Sequence, residues 1–71
     1  MVRYLIVLEP TATGFSAYSP DLPGCVATGA TQPEVEANMR EAIALHLEGL
    51  REDGAPVPPS QTIATYVEVA A

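Results

Sequence analysis

Short apolar runs separated by turn-forming residues fill the first third of the chain, and a helical spacing of apolar positions follows. Val2, Tyr4, Leu5, Ile6, Val7 and Leu8 come in close succession, with Arg3 the only charge before Glu9. A run that is apolar on both alternating sets suits a strand covered on both faces, or one central to a sheet. Pro10–Gly14 reads as a turn. Phe15, Ala17 and Ser19 then alternate with Ser16 and Tyr18, which predicts a second strand. The hairpin-length connection makes it antiparallel to the first. In Ser19-Pro20-Asp21-Leu22-Pro23-Gly24 the two prolines fix φ and push Ser19 and Leu22 toward extended backbone, giving a stiff corner. Cys25–Thr28 reads as a third short strand ended by Gly29, at an edge of the sheet that could also accept a strand from another subunit.

The period then changes. Thr31-Gln32-Pro33-Glu34 has capping-box spacing, with proline in the first turn. Val35, Met39, Ala42, Ile43, His46, Leu47 and Leu50 share one side at 3.6-residue spacing, and most of the charges lie opposite. Gly54 and the prolines at 56, 58 and 59 close the helix, predicted over Gln32–Asp53. Gly49 inside it costs up to about 1 kcal/mol relative to alanine, a cost that close packing on the sheet would explain. After the prolines, Ile63, Thr65, Val67 and Val69 alternate with Ala64, Tyr66 and Glu68, which predicts a fourth strand.

The expected architecture is α+β, in the order β-β-β-α-β. It has one four-stranded mixed sheet with a single helix on one face, in one domain over residues 1–71. The last strand is expected to run parallel to the first, on that strand's free edge, through a right-handed crossover. The sheet face away from the helix then lacks cover, which argues for a homo-oligomer, a dimer or larger. Size argues the same way. A chain of 71 residues has a core that supplies roughly 3–5 kcal/mol at best, and small folds usually need a staple. One cysteine and one histidine give neither a disulfide nor a structural zinc site.

Charge narrows the function. Nine acids against three arginines, with no lysine, give a net charge of −6. Binding of DNA or RNA by this chain alone is not expected, because such binding needs a basic footprint. An acidic surface steers a basic partner, although it also simply keeps a small protein soluble. No segment is apolar over the roughly 18 residues of a membrane span. The N-terminal run reads as a strand rather than an export signal. The single thiol fits a reducing cytoplasm.

Glu9-Pro10, Gly14-Phe15, the stretch Ser19-Pro20-Asp21-Leu22-Pro23-Gly24-Cys25, and Thr28-Gly29 with Thr31 together resemble the N-terminal domain of HicB-type antitoxins. Glu34, Asn38, Glu41-Ala42, Leu47, Leu50 and the exit Glu52-Asp53-Gly54-Ala55-Pro56-Val57-Pro58 extend the resemblance over nearly the whole chain. The Ser19–Cys25 turn is its most specific part. The resemblance implies a partial ribonuclease H-like fold and a type II antitoxin that sterically covers a small basic HicA-like ribonuclease toxin. Family members often carry a further DNA-binding segment. None is expected within these 71 residues, so self-repression by this chain alone is not expected either. The alternative is a solitary HicB-like structural or regulatory domain that binds another protein or a small ligand.

Candidate chemistry is sparse. Glu9, Glu48 and Glu68 could be imagined around two metal ions, but exposed acids are the default in an acidic protein, and fold analogy does not carry function. Cys25 with His46 lacks a third orienting group, and packing roles are favoured for both. The expected chain is therefore no enzyme and needs no cofactor or metal. Tyr18, Asp21 and Tyr66 are the candidate partner contacts: the tyrosines because that residue suits half-wet interfaces, Asp21 because it stands in a rigid loop. The competing role for Asp21 is a hydrogen bond to its own turn backbone.

Overall fold

A computed structural model describes residues 1–71. Its elements are β1 (Val7–Thr11), β2 (Gly14–Tyr18), β3 (Val26–Gly29) and α1 (Gln32–Glu52). The class is α+β: a three-stranded antiparallel sheet in the order β1-β2-β3, with one helix on it. Thr11 opposes Gly14 at the hairpin end, and Val7 opposes Tyr18 at the other.

Strand alternation sorts the residues onto two faces. Leu8, Ala17 and Ala27 are cross-strand neighbours on the helix side, where Ala17 is buried and the other two pack around the core. Val7, Tyr18 and Val26 form the equivalent row on the open side, where Tyr18 and Val26 are exposed. The core consists of Ala17, Leu22, Cys25, Val35, Met39 and Leu47. Tyr4, Ile6, Phe15, Ile43 and Leu50 pack around it, half-buried.

The helix forms where its caps allow. The Thr31 hydroxyl accepts from the Glu34 amide at 3.2 Å, and Pro33 occupies the first turn. At the other end Gly54, at φ +67, lets its own amide reach the Arg51 carbonyl and the Ala55 amide reach that of Leu50. Those two bonds are the Schellman pair, which satisfies carbonyls that the helix leaves over. Close approach of α1 to β3 depends on Gly29: a Cβ there would lie 2.6 Å from the Val35 amide nitrogen. Asn38 Nδ2 donates to the Thr28 carbonyl at 2.8 Å and ties the helix to the same strand.

Four expectations need correction. The sheet has three strands and is wholly antiparallel; the predicted fourth strand over Ile63–Val69 is not part of it. Those residues carry no regular secondary structure and no strand pairing, with Ile63, Tyr66, Val67 and Val69 all exposed. Side chains of the body hold the backbone at Pro58, Gln61 and Thr62, and nothing holds it beyond that point. The first strand starts at Val7 rather than Val2, because β2 ends at Tyr18, opposite Val7, and the chain then turns away. The helix ends at Glu52, with Asp53 as its cap. Gly49 is not a packing requirement: a Cβ there would meet nothing within 4 Å.

Candidate functional site

The turn between β2 and β3 is where the chain's distant parts meet. Three backbone bonds fold it: Ser19 to the Cys25 carbonyl at 3.2 Å, Leu22 to that of Ser19 at 3.1 Å, and Cys25 to that of Leu22 at 3.1 Å. This closure turns Leu22 fully inward, at 0% exposure, and buries Ser19 and Cys25. Pro20, Pro23 and Gly24 stay on the outside, and Gly24 takes a φ of +82 that favours glycine.

From that folded turn two side chains reach out. Ser19 Oγ donates to the Leu5 carbonyl at 3.0 Å and fixes the segment that precedes β1. Asp21 reaches the other way. Its Oδ2 accepts from the Gln61 and Thr62 amides, each at 3.1 Å, and its Oδ1 accepts from the Thr62 hydroxyl at 2.6 Å. The Thr62 hydroxyl and then the Thr62 amide hold the Asp21 carboxyl below the usual carboxylate value. Slight desolvation opposes them, and the Gln61 amide adds to them. Tyr4 completes the arrangement by donating its hydroxyl to the Pro58 carbonyl at 2.6 Å. Burial pushes the Cys25 thiol up, so it stays protonated at neutral pH.

The three candidate contacts are not brought together. Tyr18 lies on the open sheet face beside Val7 and Val26. Asp21 is committed to residues 61 and 62, about 40 positions away in sequence. Tyr66 stands fully exposed on the C-terminal segment and covers no part of the sheet. Glu9, Glu48 and Glu68 are exposed on a strand, the helix and the C-terminal segment. No group of three or more His, Cys, Asp or Glu side chains could hold a metal ion. No helix is long and apolar enough to cross a membrane. Two surface features remain for recognition: the apolar row on the open sheet face, and the acidic outer side of α1 with Glu34, Glu41, Glu48 and Glu52 exposed.

Sequence reasoning missed Tyr4, Pro58 and Thr62. No local spacing marks a hydrogen bond between residues 54 apart. The position of Asp21 in a rigid corner was the only available pointer to its partners.

Comparison with known proteins fits this geometry. Residues 4–70 match the family described as the HicB-like antitoxin of bacterial toxin-antitoxin systems. A protein of Haemophilus phage HP1, from its rep-hol intergenic region, is 39% identical over 64 residues, which is 90% of this chain. The chain spans only 48% of that relative's length. A UPF0150 protein of Synechocystis is 38% identical over 68 residues, covering 94% of this chain and 86% of its own. A chain of the solved "HicA3 and HicB3 toxin-antitoxin complex" superposes with a TM-score of 0.71 at 38% identity, over 82% of this chain and 70% of that one. The match over residues 4–70, almost the whole length, places this chain in the HicB-like antitoxin family.

Proposed function

We propose that this chain is the antitoxin of a type II toxin-antitoxin pair and that it neutralises a small basic HicA-like ribonuclease by covering it. The observation that carries the reading is the likeness to a chain from a HicA3–HicB3 complex, at an identity well above what shared fold alone would give. Charge supports it. A net charge of −6, with most of the acids on α1, attracts a basic protein and repels RNA. On this reading the chain acts in the cytoplasm, as one domain over residues 1–71. It works by binding, without catalysis, cofactor or direct contact to nucleic acid. Its β-β-β-α order is in keeping with a partial ribonuclease H-like domain.

The open sheet face is the proposed toxin seam. Tyr18 is its centre, flanked across the strands by Val7 and Val26. A half-exposed tyrosine between two aliphatic side chains offers apolar area with a polar tip, which is how interface anchors are built. Asp21 contributes indirectly, by holding the turn and the C-terminal segment in place. The test is calorimetric titration of the chain with a purified small basic HicA-like protein, for wild type and Tyr18→Ala. Binding that weakens with salt, and weakens by about tenfold or more on Tyr18→Ala, supports the seam. Binding unchanged by Tyr18→Ala moves the seam elsewhere, and absence of binding removes the antitoxin reading.

A further inference from the structure

We propose that the C-terminal segment Ile63–Val69 is an exchange strand, which pairs with the free edge of β1 in a second copy of this chain. The starting observation is a mismatch between the segment's sequence and its surroundings. Ile63, Thr65, Val67 and Val69 alternate with Ala64, Tyr66 and Glu68, a pattern that suits a strand with one drier face. Yet every one of these residues is exposed, and none belongs to a strand. A segment of alternating pattern, rich in β-branched residues and with its amides and carbonyls unpaired, is a template for strand addition.

The body holds the segment out. Asp21 grips Gln61 and Thr62, Tyr4 grips Pro58, and the chain then leaves the body. The radius of gyration is 13.9 Å and the long axis 49 Å. A compact chain of this length would have a radius of about 11 Å. A segment clamped at its base and projecting from the body is placed to reach another molecule.

A matching acceptor exists on the same chain. The sheet order β1-β2-β3 leaves the outer edge of β1 without a neighbour. Where the chain leads into β1, a groove of about 330 Å³ lies between the N-terminal segment and α1, lined by Val2, Tyr4, Ile6, Met39 and Ile43. The helix lies over β2 and β3, so this side of the helix-facing layer is unfilled. The four β-branched side chains of the exchange strand suit that groove. Arg3, Glu36 and Arg40 rim it, and Glu68, the only charged side chain on Ile63–Val69, belongs to the other alternating set and stays out of the groove. With the β-branched set turned toward α1, Tyr66 of one copy joins the open sheet face that carries Tyr18 of the other. Reciprocal exchange of one identical strand gives a closed two-fold dimer and covers both exposed features at once. The exchange does not depend on the toxin reading.

The test uses the full chain in two measurements. Light scattering reads the mass of wild type and of Val67→Pro, a substitution that removes a strand amide at a position already exposed in the single chain and so leaves the body folded. The expected masses are twice the 7.5 kDa of one chain for wild type and once that for Val67→Pro, with an unchanged helical circular dichroism signal. In the second measurement, ¹⁵N-labelled wild type is mixed with unlabelled Glu68→Cys carrying a nitroxide; buried Cys25 leaves the introduced thiol as the reactive one. Broadening of the Val7, Leu8, Glu9 and Thr11 amides in the ¹⁵N chain is the expected result. A monomeric wild type, a dimer that survives Val67→Pro, or broadening that leaves β1 untouched would each overturn the proposal.

Discussion

Asp21 grips Thr62 at two points, accepting the hydroxyl at 2.6 Å on one carboxylate oxygen and the amide at 3.1 Å on the other. That pair joins the β2–β3 turn to the chain 41 residues later, and it decides where the C-terminal segment leaves the body. Asp21→Ala should therefore act locally first. Amide exchange at Gln61 and Thr62 is expected to rise toward the unprotected rate, while the amides of α1 keep their protection. Hydrogen exchange followed by NMR checks this; unaltered protection at Thr62 would count against the clamp.

The same pair sets a pH dependence. The folded carboxyl of Asp21 lies below its ordinary value, because the Thr62 hydroxyl and amide donate to the charged form. Above the unfolded value, about 3.9, the contribution to stability is complete. As pH falls through the still lower folded value, the carboxylate is protonated and the contribution disappears. Acid titration of wild type against Asp21→Asn, read by urea midpoint, should show the wild-type advantage at pH 6 shrinking below pH 4.

Leu22 should be the costliest single position in the turn. It is completely buried, so Leu22→Ala removes apolar contact and leaves a cavity, at a cost of about 2–5 kcal/mol. A chain this short has little more to lose. Urea unfolding at 25 °C is expected to show a largely unfolded variant.

Two glycine substitutions should have opposite signs. At Gly29 a Cβ would meet the Val35 backbone at 2.6 and 2.8 Å, so Gly29→Ala pushes α1 off β3 and should cost about 1–3 kcal/mol. At Gly49 nothing lies within 4 Å, and alanine restores helix propensity, so Gly49→Ala should stabilise by about 0.5–1 kcal/mol. Thermal melts of both variants decide it.

These glycines also mark how far the sequence could be read. The helix was legible almost to the residue, because Thr31, Pro33, Gly54 and the stripe from Val35 to Leu50 are local signals. The hairpin was legible for the same reason. The role of Gly49 was not, since packing depends on what lies opposite and not on neighbours in sequence. Nor was the fate of Ile63–Val69: alternation specifies strand conformation, but an edge, and whose edge, is a tertiary choice. The bonds from Asp21 to Thr62 and from Tyr4 to Pro58 join residues 41 and 54 apart, and no spacing rule reaches that far.

Cys25 should be unreactive until the fold opens. Burial disfavours its thiolate, so a thiol reagent at pH 7.5 is expected to label it no faster than global unfolding allows. Since the unfolded thiol ionises at about 8.5 and the folded one later, this group's contribution to stability falls as pH rises past that value. Labelling with and without urea measures both effects.

Neutralisation of a toxin is read from RNA cleavage by a purified small basic HicA-like protein while this chain is titrated in at low and high salt. Cleavage is expected to fall to background at a fixed small-integer ratio of the two proteins, with weaker inhibition at high salt. Cleavage that continues unchanged in an excess of folded chain at low salt would contradict it.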